Sequence, residues 1–382
     1  MSTFETFPEQ AEAKRLLSAA LAEGPAHAYL FHGPAGVGKR RAALAFAGDL
    51  LAGSEPAARA EPERPPGGVA QSTPRDRVAR ETHPDLYVLE LVGDQIRIDE
   101  IRALRRDLHM RPFEADRRVY LIPSAHLMND DAADALLKDL EEPPSYAVIV
   151  LVADELGPIP ETIRSRCQHI AFRRLSQRAV REEIAARAPA LSLEQITALA
   201  RVASGRLDRA ARLLDPDAAR RREALLEVAR SVYLDPEFEP ADAARRLLEG
   251  VAERGAEAKR DAERDLERLD LPAREAEQRV RRAERGAERD ELLASLEELA
   301  AWYRDLLVVA AGAERAAVHS DRLEELAADG TRERMIGAEA ASEAVRQAWR
   351  DLQEFNLSPP LALEALFVRL RRALAGRSAV GA

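Results

Sequence analysis

A glycine-rich octapeptide constrains the folding of this chain more than any other segment. Residues Gly33-Pro34-Ala35-Gly36-Val37-Gly38-Lys39-Arg40 read G-x-x-x-x-G-K, directly after the apolar run 28–32 and just ahead of a helical pattern over 40–51. The context matters because each part has a physical task. The glycines let backbone amides close on phosphate oxygens, the lysine reaches the terminal phosphates, and the helix N-terminus adds a favourable dipole. A strand before and a helix after identify the segment as the phosphate-cradling loop of a P-loop α/β domain. Gly33, Gly36, Gly38 and Lys39 are therefore the candidate nucleotide-binding residues. The last position departs from the pattern. Where a hydroxyl would ligate Mg²⁺, Arg40 offers no metal ligand and brings a second positive charge.

A second departure lies on the apolar run 119–122. In P-loop ATPases this strand ends in an aspartate that holds Mg²⁺, and a carboxylate that orients the attacking water is expected beside it. Here those positions are Pro123 and Ser124. Loss of a general base alone lowers a rate by about 10²–10⁴. Three losses in register, at Arg40, Pro123 and Ser124, point to a site without hydrolytic chemistry. Nucleotide binding stays open, since Arg40 could itself neutralise a phosphate.

Short apolar runs at 28–32, 86–91, 119–122, 147–152 and 168–172 alternate with helical patterns over 40–51, 98–109 and 130–142. That alternation predicts a parallel sheet wrapped by helices, with strands buried on both faces. Pro143-Pro144 ends the third helix. The segment 53–83, centred on Pro65-Pro66-Gly67-Gly68, has too few spaced apolar residues for a core element and reads as a mobile surface insertion. Beyond residue 172 the strands cease. Helices are expected over 175–187, 192–203 and 207–214, and everything after 215 reads as helix. Leu293, Leu296, Leu299, Tyr303, Leu306 and Leu307, and likewise Leu363, Leu366, Phe367, Leu370 and Leu374, recur at three-to-four spacing and predict bundle core. Between them 252–290 is a charged tract. Pairs such as Asp261/Arg264, Arg264/Glu267 and Asp265/Arg268 support a solvated helical arm that turns at Pro272. The expected division is therefore an α/β P-loop domain over 1–173, a small helical lid over 174–214 and an all-α collar over 215–382.

Composition excludes several functions. With a formal net charge of −10 and only 4% aromatics, the chain is a poor stand-alone binder of DNA phosphates or stacked bases. A single cysteine, Cys167, rules out a disulfide within the chain and a cysteine-based zinc site. The same cysteine reads as buried and structural rather than reactive. His32, His83, His109, His126 and His169 show no metal-ligand spacing. No secretory signal and no apolar run near the ~20 residues of a membrane helix are found, so a cytoplasmic location without membrane partners is expected.

The run Asp131-Ala132-Ala133-Asp134-Ala135-Leu136-Leu137-Lys138-Asp139-Leu140-Glu141-Glu142-Pro143-Pro144 is followed by Pro160-Glu161-Thr162-Ile163-Arg164-Ser165-Arg166-Cys167-Gln168. Together they resemble the bacterial clamp-loader subunits of the AAA+ class. His27-Ala28-Tyr29-Leu30-Phe31, His83-Pro84-Asp85-Leu86 and Asn356-Leu357-Ser358-Pro359-Pro360-Leu361-Ala362-Leu363-Glu364 are also similar to that family. The resemblance implies an AAA+ P-loop domain with a lid and a helical collar. It further implies that Arg166 projects as an arginine finger into a neighbouring subunit's ATP site. A guanidinium suits that task, because it stays charged and its donor fork matches phosphoryl oxygens. The implied partners are ATPase motor subunits and delta-type subunits, with the sliding clamp and primer-template DNA reached through the complex. Within the family, a non-hydrolysing subunit fits the losses at Arg40, Pro123 and Ser124; the alternative is an ATP-hydrolysing motor subunit. Two features depart from the family. Its four-cysteine zinc module is missing from 53–83, so no zinc is expected. The stretch Ser204-Gly205-Arg206-Leu207-Asp208-Arg209-Ala210 is similar to its second sensor region, with an ambiguous arginine register between Arg206 and Arg209.

Overall fold

The computed structural model describes residue 4 and residues 7–53, 73–89, 95–266, 273–354 and 357–374. The Pro-Gly centre of the 53–83 insertion, the end of the 86–91 run, Glu267, Arg268, the Pro272 turn and Asn356 lie outside the described residues. Two compact units emerge. One comprises residues up to Glu183 with Gly205–Asp208, and the other comprises Ile184–Ser204 with the residues from Arg209 onward.

The first unit is built on a parallel sheet. In chain order its elements are α1 (Ala11–Glu23), β1 (Ala28–His32), α2 (Lys39–Gly53), α3 (Pro74–Ala79), β2 (Leu86–Val88), α4 (Ile98–Leu108), β3 (Arg118–Ile122), α5 (Asp130–Glu141), β4 (Ala147–Ala153), α6 (Glu161–Arg164) and β5 (Gln168–Ala171). The strands lie in the order β2-β3-β4-β1-β5, all parallel. Every residue of β3 and β4 is buried, which explains the unbroken apolar runs 119–122 and 147–153; Arg118, at the head of β3, is buried against Asp107. Side chains alternate between two cores, as a strand's two-residue repeat requires. Tyr29, Phe31, Val148 and Val150 pack with Phe46 on one face, while Leu30, Ile149 and Leu151 pack with Ile101 and Leu136 on the other. β5 is a sheet edge and exposes Gln168, His169 and Ala171, so the expectation of doubly buried strands fails there. The chain order reverses at β1, between β4 and β5, and the loop after β1 opens at that switch point, where α/β sheets place ligands.

One expectation is corrected. The 53–83 segment does contain a core element near its end. Thr73 and Asp76 form a reciprocal capping box at the start of α3, and Val78 is fully buried against the α2 side of the sheet. A single apolar residue was too sparse to register as periodicity, yet the capping residues carry enough local order to place it. Just beyond, the buried Asp85 carboxylate accepts the backbone N–H groups of Phe113, Glu114 and Ala115 at 2.6, 2.8 and 2.9 Å. The His83-Pro84-Asp85-Leu86 motif thus pins a loop rather than a ligand.

α7 (Gln177–Arg187) and α9 (Leu207–Leu214) contribute residues to both units, and α8 (Leu193–Ala203), capped by Ser192, belongs to the second. The second unit continues with α10 (Pro216–Leu234), α11 (Pro240–Leu266), α12 (Ala273–Ala310), α13 (Leu323–Asp329), α14 (Met335–Glu354) and α15 (Pro359–Leu374). One hydrophobic core runs through it, with Trp302, Tyr303, Leu296, Leu299, Leu363, Leu366, Phe367 and Leu370 essentially inaccessible. The two leucine stripes are therefore core. Leu293 and Leu307 are only half-buried, and Leu292, the neighbour of Leu293, takes the inward place. α11 and α12, 27 and 38 residues long, flank residues 267–272 and carry most of the charged tract. Among the described residues no helix is long and apolar enough to cross a membrane.

Candidate functional site

The loop after β1 keeps the backbone shape its sequence demands. Gly33, Gly36 and Gly38 adopt φ of +134°, +72° and +94°, a region where a Cβ is strained. A Cβ on Gly33 would also stand 2.2 Å from the Phe172 carbonyl oxygen. α2 then starts at Lys39, and the amide of Ala42 donates to Gly38 O at 2.9 Å.

Within this loop the side chains are committed to the chain itself. The Lys39 ammonium donates to Gly33 O at 2.6 Å and Pro34 O at 2.5 Å, and it pairs with Asp154 Oδ1 at 2.7 Å. An ammonium has three protons, and all three have partners. The side chain is 3% exposed. Burial pulls its pKa below the usual lysine value, and the Asp154 carboxylate opposes that shift. Asp154 follows β4, and its own amide donates to His126 Nδ1 at 3.3 Å. Arg40, in the hydroxyl position, pairs with Glu81 at 2.6 Å.

The loop's open side meets residues 205–208. The Leu207 amide donates to Gly36 O at 2.7 Å. Asp208 Oδ1 stands where it would lie only 1.9 Å from a Cβ on Gly36, with Arg206 Nε 2.9 Å from the same point. Arg206 and Asp208 form an ion pair at 2.7 Å. Arg209, by contrast, pairs with Glu298 inside the second unit. Of the two arginines, Arg206 is the one beside the loop, where it is paired with Asp208. Asp154 carried no motif that would have singled it out, and Asp208 lay within the sensor-like stretch 204–210, where the arginines rather than the carboxylate drew the reading.

At the end of β3, Pro123 and Ser124 lead into a short turn. Ser124 has φ +55°, and the amide of Leu127 donates to its carbonyl at 2.8 Å. The nearest carboxylate partner of Lys39 thus comes from β4 instead. His32 and His169 lie side by side, ring centroids 5.3 Å apart, an adjacency the sequence did not reveal. Burial and the charges of His169 and Lys39 lower the pKa of His32. Among the described residues no group of three or more His, Cys, Asp or Glu side chains could hold a metal ion.

Arg166 stands apart from that network. It follows α6, whose last turn ends at Ser165. Arg166 Nη1 donates to Thr162 O at 2.8 Å and Nη2 pairs with Glu141 Oε1 at 2.5 Å. Its side chain is 35% exposed. Glu141 ends α5, just before Glu142-Pro143-Pro144. The two family motifs are therefore in contact, the glutamate of one holding the arginine of the other. Cys167, adjacent, is buried, and burial pushes its thiol up to about 12, which suits a structural role.

The parallel sheet and the glycine loop at its switch point define a P-loop α/β module. Comparison with known proteins narrows the type. Residues 9–176 match the family model described as DNA polymerase III, delta subunit. The chain is 38% identical over 180 residues to DNA polymerase III subunit delta' of Pseudomonas aeruginosa, covering 46% of this chain and 52% of that protein. It is 33% identical over 167 residues to subunit tau of Bacillus subtilis, covering 44% and 28%. It is 32% identical over 161 residues to subunit delta' of Bacillus subtilis, covering 41% and 45%. The N-terminal part of the chain is thus similar to the delta' and tau subunits of DNA polymerase III. The chain spans about half the length, or less, of these relatives.

Proposed function

We propose that this chain serves as the delta-prime-type subunit of a DNA polymerase III clamp-loader complex, a non-hydrolysing stator that supplies Arg166 to a neighbouring ATPase subunit. The reading rests on one contrast. Arg166 remains accessible in its family motif, while the chain's own loop has lost its metal and base positions at Arg40, Pro123 and Ser124. The partners would be ATPase motor and delta-type subunits, with the sliding clamp and primer-template DNA reached through the complex. Residues 174–214 would act as the lid and residues 215–382 as the collar.

The geometry around Arg166 suits this role. Its guanidinium rests on Glu141, and an ion pair this exposed contributes only about 0.2–1 kcal/mol. A doubly charged phosphoryl group on a neighbour could displace so weak a partner at little cost, while Thr162 O, accepting from Nη1, keeps the guanidinium oriented. Removing an arginine finger typically lowers turnover about 10³–10⁵-fold at the site it serves. Reconstitution with motor subunits, clamp and primed DNA tests this. Arg166→Ala should suppress turnover at the facing site and leave assembly on size-exclusion chromatography intact. Unchanged turnover would remove the trans role.

The similarity to subunit tau and the preserved loop glycines favour a second reading, an ATP-hydrolysing motor subunit. Mg²⁺-dependent ATP turnover by the isolated chain would establish it.

A further inference from the structure

The phosphate-binding loop has kept its shape, but its lysine is committed within the chain. A nucleotide needs a free ammonium from such a loop. Here the ammonium of Lys39 is divided among Gly33 O, Pro34 O and Asp154, and the side chain is sealed from solvent. The residues that meet the loop are held at two ends. Leu175 N donates to Gly205 O at 3.3 Å, and Leu207 N donates to Gly36 O at 2.7 Å. Gly205, with φ +80°, permits the turn between them. The Leu207 side chain is buried and its Cδ1 would be 3.6 Å from a Cβ on Gly38.

We propose that this loop is a structural clasp occupied by the chain's own Gly205–Asp208 segment, with Asp208 excluding anions and Lys39 acting as a buried cross-link. Three physical points support it. The Asp208 carboxylate lies against Gly36 closer than any side chain at that position would allow, so the glycine serves an internal contact. Asp208 acts on the charge of Lys39, as does Asp154, and two carboxylates near one ammonium repel an incoming phosphate. Arg206, whose Nε also stands beside Gly36, is paired with Asp208. The clasp goes beyond the stator reading and does not involve Arg166.

The isolated full-length chain tests it by thermal unfolding and by titration with mant-ATP and inorganic phosphate. Millimolar Mg²⁺-ATP should leave the wild-type Tm unmoved. Lys39→Met should lower the Tm by about 5 °C with no nucleotide present, the scale expected when two loop carbonyls and Asp154 lose their shared donor in a unit of this size. Asp208→Asn, which keeps the side-chain volume and removes the charge, should tighten mant-ATP binding at least about tenfold, and it carries the test even if Lys39→Met does not fold. Two results overturn the clasp: a wild-type Tm that rises with Mg²⁺-ATP, or an Asp208→Asn variant that binds mant-ATP no better than wild type. No other subunit enters the experiment, so an Arg166 that proves inactive in the complex leaves the outcome independent.

Discussion

Replacing His319 with glutamine should remove a pH-dependent part of the second unit's stability. His319 is fully buried. Its Nδ1 lies 2.8 Å from Asp305 Oδ2 and its Nε2 lies 3.1 Å from Glu298 Oε1, while its amide donates to the same Asp305 oxygen at 2.8 Å. Glu298 also binds Arg209 and, at 2.5 Å, Arg222 Nε; Asp305 meets Arg304 at 3.2 Å. Burial alone would lower the imidazole pKa, but the hydrogen bonds to Asp305 and Glu298 prevail and raise it above its ordinary 6.5. A group whose pKa is raised on folding stabilises fully below its unfolded value, and that contribution fades as pH climbs through the folded value. Glu298 behaves oppositely. Burial would raise its pKa, yet His319, Arg209 and Arg222 hold it far below the ordinary 4.5, so its contribution is lost on acidification. Breaking one partner of a buried ionic group costs about 3–5 kcal/mol. His319→Gln should therefore lower stability by about 3 kcal/mol near pH 6, a Tm loss of about 6–12 °C for a unit of this size. The loss should shrink toward pH 9. Both tryptophans, Trp302 and Trp349, belong to this unit, and Trp302 stacks edge-on to His319 at 5.3 Å, so intrinsic fluorescence follows its unfolding directly. An equal loss at pH 6 and pH 9 would show that His319 is neutral in the native state and refute the charge argument.

Gly33→Ala combines a strained φ with a 2.2 Å approach to Phe172 O, so it should destabilise the first unit by more than about 2 kcal/mol, read as a lower midpoint in urea. Cys167, with its thiol near 12, should resist iodoacetamide at pH 8 in the native protein and react only in denaturant; rapid native alkylation would contradict its burial.

Much of the fold was legible because its signals are local. The apolar runs at 28–32, 119–122 and 147–152 became β1, β3 and β4 with boundaries shifted by a residue or less, since strands buried on both faces have no polar positions to blur them. The stripe through Leu363, Leu366, Phe367, Leu370 and Leu374 is wholly buried for the same reason, one helical period facing one core. α3 escaped notice because Val78 alone supplies its apolar face. The loop glycines and Arg166 were visible as motifs, but their partners were not. Glu141 and Asp208 sit in recognisable stretches and Asp154 in none, but nothing in the sequence says which basic group or glycine each meets; only the packing of α5, the end of β4 and α9 selects them.

What the sequence determined by itself is the β1–loop–α2 unit. Glycines that tolerate positive φ, a strand ahead and a helix behind are properties of neighbours along the chain, and the missing hydroxyl and carboxylates at Arg40, Pro123 and Ser124 are equally local. What the loop holds was decided only in three dimensions. A buried ammonium must be satisfied by whichever acceptors the fold carries to it, and here those are two loop carbonyls and Asp154, with Asp208 against Gly36. Partner choice depends on distance in space rather than separation in sequence, so the same octapeptide that names the fold is silent about its occupant.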